Sequence, residues 1–186
     1  MLEDKIANFK KVSLERFILD MLPYVEMNYG KTGTEAMDLI TEMYRRIKIP
    51  ERSTVESAGY DFYTYEHVIL PQGEGIVIPT GIRCEIKAGF SLDIYPRSGQ
   101  GFKHHLVIAN TIGIIDSDYY HSDNEGHIMI KLVYEGFKNS EQDSMVIKSG
   151  TAFAQGILHE VFGALNDSDT EFAKRNGGLG STTKWL

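Results

Sequence analysis

Residues 75–95 read Gly75-Ile76-Val77-Ile78-Pro79-Thr80-Gly81-Ile82-Arg83-Cys84-Glu85-Ile86-Lys87-Ala88-Gly89-Phe90-Ser91-Leu92-Asp93-Ile94-Tyr95. Three short runs stand out in this stretch, Gly75 to Pro79, Gly81 to Ile86 and Phe90 to Tyr95, alternating in polarity and punctuated by Gly and Pro. That is the texture of half-buried strands, not of helices. Further runs of the same kind are His127 to Tyr134, Ser144 to Ile147 and Ala152 to Val161. Their close spacing predicts an antiparallel sandwich or jelly roll. Ten Tyr, nine Phe and 18 Gly lean the same way, because aromatics favour strands and glycines favour turns.

Upstream the period changes. From Ser13 to Tyr24, the residues Leu14, Phe17, Ile18, Met21 and Leu22 recur at three- and four-residue spacing, with Ser13 as a candidate N-cap. A second stripe of Met37, Ile40, Met43, Tyr44 and Ile47 follows a candidate cap at Thr34 and stops at Pro50. Residues 1–50 are therefore expected to form a helical hairpin beside one β domain over 51–165. Downstream, 166–186 is polar and glycine-rich, ending in Lys174-Arg175-Asn176-Gly177-Gly178-Leu179-Gly180-Ser181-Thr182-Thr183-Lys184 before Trp185-Leu186. It cannot build a core alone and reads as an arm that is mobile until something binds.

The formal charge of −7 is unevenly placed: residues 1–50 carry eight basic and eight acidic side chains, and 51–186 carry eleven against eighteen. Such a surface repels a nucleic-acid backbone, so a phosphorylated ligand needs local amides, a few Arg or a metal ion. Nucleic acid is not an expected partner. Cys84 is the single cysteine and lies in an alternating apolar run, where burial is a better reading than reactivity. No stretch has the length or apolarity of a membrane span or signal h-region, which predicts a cytoplasmic protein without membrane contact. The six His are scattered, without the spacing of a zinc site.

Five segments carry chemistry: Ala58-Gly59-Tyr60-Asp61-Phe62; Pro96-Arg97-Ser98-Gly99; Asn110-Thr111-Ile112-Gly113-Ile114-Ile115-Asp116-Ser117-Asp118-Tyr119; Ala154-Gln155-Gly156-Ile157; and Arg175 to Thr182. Taken singly, each has a plain structural reading. Asp-Ser-Asp is a common Asx turn, Pro-Arg-Ser-Gly a strand-to-helix turn, Tyr119 a strand aromatic and Gln155 a surface residue. In this order and spacing, over roughly residues 47–183, they resemble the five motifs of the trimeric dUTPases. The resemblance implies a mainly β fold, the family's jelly-roll or β-clip domain. It also implies hydrolysis of dUTP to dUMP and pyrophosphate with Mg2+, in a homotrimer, keeping uracil out of DNA and supplying dUMP for dTMP synthesis.

Residue by residue, the resemblance makes Asp116 the general base that orients water toward the α-phosphorus, and puts Arg97, Ser98 and Gly99 on the phosphates. An aspartate of ordinary pKa, about 3.9, is a weak base, so positioning and charge neutralisation must dominate. The Arg97 fork and Ser98 hydroxyl suit phosphate oxygens. Uracil would be surrounded by Asn110, the backbone of Gly113, Ile114, Ile115 and Asp116, and the backbone near Met129. Tyr119 would pack beneath the deoxyribose and exclude a 2′-hydroxyl. Gln155 would bond phosphate or the attacking water, Asp61 and Asp118 would support these groups, and Lys174, Arg175, Gly180, Ser181 and Thr182 would close over the triphosphate from another subunit. Mg2+ would be held by phosphates and water, with no direct protein ligand.

The chain departs from the family pattern in three places. Residues Tyr120 to Glu125 stand where the family has one residue between Tyr and Gly, five extra that are expected to lengthen a hairpin without touching the chemistry. Such a loop costs little, since doubling a loop adds only about 0.6 kcal/mol. Leu179 replaces the family's Phe, and Lys174 and Arg175 compete for the γ-phosphate. The extension and the insert are also candidate surfaces for a protein partner. Two rival functions remain: a nucleotide-binding regulatory protein on the same scaffold, and a dCTP deaminase, which would need a carboxylate where Lys131 stands.

Overall fold

Alternation at period two becomes strands in a computed structural model that describes residues 5–136, 143–165 and 167. In chain order the elements are β1 (Ala7–Lys11), α1 (Leu14–Tyr29), α2 (Gly33–Arg46), β2 (Gly59–Tyr63), β3 (Val68–Pro71), β4 (Gly75–Pro79) and β5 (Ile82–Ile86). They continue with β6 (Phe90–Pro96), α3 (Ser98–His104), β7 (Leu106–Ile108), β8 (Gly113–Asp116), a 3-10 turn (Ser117–His121), β9 (Met129–Tyr134), β10 (Ser144–Ile147) and β11 (Ala152–Glu160). The strands pair in the orders β2-β11-β6-β8, β4-β9-β7, β1-β5 and β3-β10, every strand pairing being antiparallel. The mainly β expectation holds, with the two N-terminal helices beside the sheets.

Four expectations change. The extension starts with a strand: β1 pairs with β5 from Ala7↔Ile86 to Lys11↔Ile82. The helix α1 does not stop at Tyr24 but runs to Tyr29, passing through Pro23 and ending where Gly30 adopts a left-handed φ of 62°. Proline denies a hydrogen bond to the carbonyl four residues back, that of Leu19, which is an exposed residue whose carbonyl water can satisfy. The cap of α2 is Thr32, not Thr34, and Met37 faces out while Ala36, Ile40 and Met43 face in. The fourth change concerns residues 110–134: β8 belongs with β6 and β9 with β4 and β7, so they are strands of different sheets, not arms of a hairpin.

The helices share the core of the sheets. Phe17, Met21 and Val25 of α1, at four-residue spacing, lie in one buried cluster with Ile40, Ile82, Leu92 and Leu132. The Phe17 ring packs edge-on against Tyr65 at 5.4 Å and tilted against Tyr44 at 5.6 Å. Cys84 is buried as the sequence suggests, and burial pushes its thiol up to about 12. A second tie is polar. The Asp20 carboxylate meets Arg16 on its own helix and Nδ1 of the fully buried His127 at 2.5 Å. Since Nε2 of His127 accepts the Gly81 amide at 2.7 Å, that nitrogen carries no proton, and Nδ1–H is the donor to Asp20. Burial alone would push Asp20 up, but the bonds from His127 and Arg16 outweigh it and hold the carboxyl below its usual range.

Phe17→Ala should cost about 3–5 kcal/mol in denaturant unfolding at fixed protein concentration, with the loss of helix and sheet signals still coincident. A separate, earlier helix transition would count against a shared core. Because Asp20 titrates below its unfolded value of about 3.8, its stabilisation is full above that pH and lost as pH falls through the folded value. The non-titrating Asp20→Asn should therefore be less stable than the parent at about pH 6 and converge with it toward about pH 2, read by urea midpoints.

Candidate active site

Three sequence-distant segments meet at one end of the four-stranded sheet. Gln155 on β11 stands opposite Asp61 on β2 and opposite Tyr95 on β6, and Pro96 ends β6 just before Arg97. The Arg97 guanidinium meets the buried Asp61 carboxylate, Nε to Oδ1 at 3.1 Å, while Ser53 donates to the other oxygen at 2.8 Å. Gln155 donates from Nε2 to the Pro96 carbonyl at 3.2 Å. Its place depends on Gly59, where a Cβ would lie 2.5 Å from Gln155 Oε1. Arg97 caps α3, and nothing lies within 4 Å of where a Cβ on Gly99 would sit, leaving that backbone open.

A cleft of about 260 Å³ is bounded by Ser57, Gly59, Asp61, Arg97, Ser98 and Gln155. A second, of about 410 Å³, lies between Arg97 to Gln100 and Lys103 with His104. Lys103 and His104 were not singled out by the motifs; their position one turn into the helix after Pro-Arg-Ser-Gly was the available signal. An Arg fixed by a buried carboxylate, a hydroxyl and a nearby Lys make this a place for an anion.

The other half of the expected site lies elsewhere in the chain. Asn110 sits in a tight turn where Thr111 has φ 67° and the Ile112 amide bonds the Asn110 carbonyl at 2.7 Å, bringing its side chain near Gly113. Ile114 and Ile115 continue β8, and Asp116 ends it opposite Ser91. Asp118 is in the 3-10 turn, so strand alternation does not put the two aspartates on one face. Tyr119 is buried, its hydroxyl donating to the His127 carbonyl at 3.0 Å and accepting from Asn124 Nδ2 at 2.8 Å. Asn124 of the insert thus bonds the Tyr119 hydroxyl, contrary to the expectation that 120–125 merely lengthens a hairpin. Met129 opens β9 opposite Pro79.

From the level of Ser91 to that of Tyr95 is about 13 Å along β6, and β8 to β2 is three strand spacings, about 14 Å across. Asp116 and the Asp61–Arg97 pair therefore stand at opposite corners of the sheet, roughly 20 Å apart. Lys174, Arg175, Gly180, Ser181 and Thr182 lie outside the described residues. Among the described residues no three His, Cys, Asp or Glu converge on a point that could hold a metal ion. No helix among them is long and apolar enough to cross a membrane.

The dUTPase family model matches residues 45–183. A deoxyuridine 5′-triphosphate nucleotidohydrolase from Lactococcus lactis is 40% identical over 137 residues, 73% of this chain and 88% of that protein. Among solved structures, the Staphylococcus bacteriophage 80alpha dUTPase with dUpNHpp is similar at 25% identity and TM-score 0.56, over 75% of this chain and 94% of that one. A point mutant of the dUTPase from phage phi11 of S. aureus, which coordinates a structural Mg(II) ion, shares the fold at 23% identity and TM-score 0.56, over 70% of this chain and 95% of that one.

Asp61→Asn leaves Arg97 without its buried counter-charge and fixed direction. Calorimetric titration with inorganic pyrophosphate should show about tenfold weaker binding than in the parent, the scale of one charge-assisted hydrogen bond. Unchanged affinity would mean that Asp61 does not orient Arg97 for anions.

Proposed function

The chain belongs to the dUTPase family, and on that premise we propose that it hydrolyses dUTP to dUMP and pyrophosphate through water attack on the α-phosphorus. The observation that carries this reading is the convergence of Asp61, Arg97, Ser98 and Gln155 on one cleft. In the reaction, the water oxygen bonds to the α-phosphorus and the bond to the bridging oxygen of the β-phosphate breaks. Pyrophosphate leaves, and Asp116 accepts the proton of the water. Arg97 and Ser98 hold the phosphates, and the chief contributions are alignment and charge neutralisation, because a carboxylate removes a proton only weakly. Tyr119 closes the sugar side against a 2′-hydroxyl, and Asn110 with the Gly113 to Asp116 backbone reads uracil.

Asp61 is already engaged by Arg97 and Ser53. An Mg2+ ion would therefore be held by phosphate oxygens and water, where it neutralises charge on the triphosphate. The roughly 20 Å between Asp116 and the Arg97 pair supports an assembly in which one site draws these residues from two chains. A homotrimer, with Lys174 to Thr182 closing from a further subunit in a cytoplasmic setting, completes the reading.

Purified protein with Mg2+ is tested on dUTP, dCTP, dTTP and UTP, following pyrophosphate and the nucleotide product. Pyrophosphate and dUMP should form from dUTP alone, and Asp116→Asn should lose at least about a hundredfold in kcat. Formation of dUTP from dCTP would establish a deaminase; no turnover of any of the four would leave a regulatory scaffold. Mixing inactive Asp116→Asn and Arg97→Ala chains after joint refolding should restore about a quarter of the sites if each draws on two chains. Mixtures that stay dead would put both residues of a site in one chain.

A further inference from the structure

The insert 120–125 and the N-terminal extension hold one another, and the Tyr119 ring stands at the start of that insert with its hydroxyl bonded to Asn124 and to the His127 carbonyl. Glu125 accepts from Ser13 twice, from its amide at 2.8 Å and its hydroxyl at 2.6 Å, while that same hydroxyl accepts the Arg16 amide and so caps α1. Tyr120 lies under the Arg83 guanidinium at 3.6 Å, gives its carbonyl to Arg83 at 2.6 Å, and takes a bond at its hydroxyl from Lys10 of β1. Glu125 has φ 58°, a left-handed backbone that favours glycine or asparagine. A glutamate there is strained, and its two bonds to Ser13 offset that strain. Gly126 follows at φ 68°, packed so closely that a Cβ would lie 2.8 Å from the Tyr119 carbonyl oxygen. The Tyr119 hydroxyl ends on Asn124 and on the carbonyl of His127, whose ring is fixed by Asp20 of α1 and the Gly81 amide.

We propose that α1 is a positioning element of the nucleotide site: through Asp20–His127 and Ser13–Glu125 it fixes the Tyr119 ring, and with it the discrimination between deoxyribose and ribose. The proposal rests on Tyr119 being the ring against the sugar. Discrimination by exclusion requires a wall that does not yield, and a buried ring whose hydroxyl is tied at two points, both on a loop clamped to a helix, is such a wall. Asp20 and Glu125 touch no substrate; they act only through His127, Asn124 and the loop.

The full chain is assayed with dUTP and UTP, and kcat/KM for each gives the discrimination ratio. Asp20→Ala and Glu125→Gly should each lower that ratio about tenfold by raising UTP turnover, the scale of one lost hydrogen bond. Glu125→Gly relieves the left-handed backbone as it cuts the tie, so it stays folded should Asp20→Ala not. Asp20→Asn keeps an acceptor for Nδ1–H of His127 and should return the ratio to within about twofold of the parent. Tyr29→Phe, which cuts the 2.5 Å bond from α1 to Glu66 at its other end, should lower Tm and leave the ratio alone. An unchanged ratio in Asp20→Ala and Glu125→Gly, with Tyr119→Ala losing discrimination, overturns the role of α1 while sparing that of Tyr119. Intact discrimination in Tyr119→Ala overturns both.

Discussion

The inflexible rise of a β-strand governs how this molecule can present chemistry. Strand β6 is bonded on one side to β11 along seven residue pairs and on the other to β8 along four, so it can neither bend nor slip without breaking both ladders. Arg97 leaves one end of it and Asp116 is paired near the other. Groups hung on such a frame are held more accurately than groups on loops. The same rigidity forbids them from approaching one another. A chain built this way holds its two groups of candidate residues at opposite corners, and in the proposed two-chain site a second subunit would supply what the strand prevents.

Much of the strand content was legible, because apolar alternation between glycines and prolines is a local signal. The runs at 75–79, 144–147 and 152–160 came out nearly to the residue. Strand β1 was not legible: Ala7-Asn8-Phe9-Lys10-Lys11 ends in two lysines and looks polar until β5 lies beside it and Lys10 can reach Glu85. The length of α1 was hidden because its readable apolar stripe ends at Leu22, whereas the burial of Val25, beyond Pro23, carries the helix on to Tyr29. The motifs alone name the candidate residues Asp61, Arg97, Ser98, Asp116 and Gln155. Their division between two corners could not be read there, since it follows from three strand registers, from Ile94↔Gly113 to Gly59↔Ile157, that no motif contains. The bend at Ser117 likewise comes with contacts to Arg83 of β5 and Lys10 of β1 that no spacing within 110–126 reveals.

The buried polar links between the extension and the loop explain why a glutamate tolerates a left-handed backbone and why a fully buried histidine is present at all. The members support one another: Asp20 without His127 would keep only Arg16, and His127 without Asp20 would bury an unmatched N–H. Networks of this kind specify one arrangement strongly because half of one is worse than none.

The Ser13–Glu125 clamp also bears on descent. A lineage that shortened the loop to a single residue would leave the cap of α1 without its partner, and one that shed the first thirty residues would leave Glu125 strained for no return. Neither change is neutral by itself, whichever comes first. The extension and the insert should therefore be inherited as one character, present together or missing together among relatives, although 112 positions of chain separate their two ends.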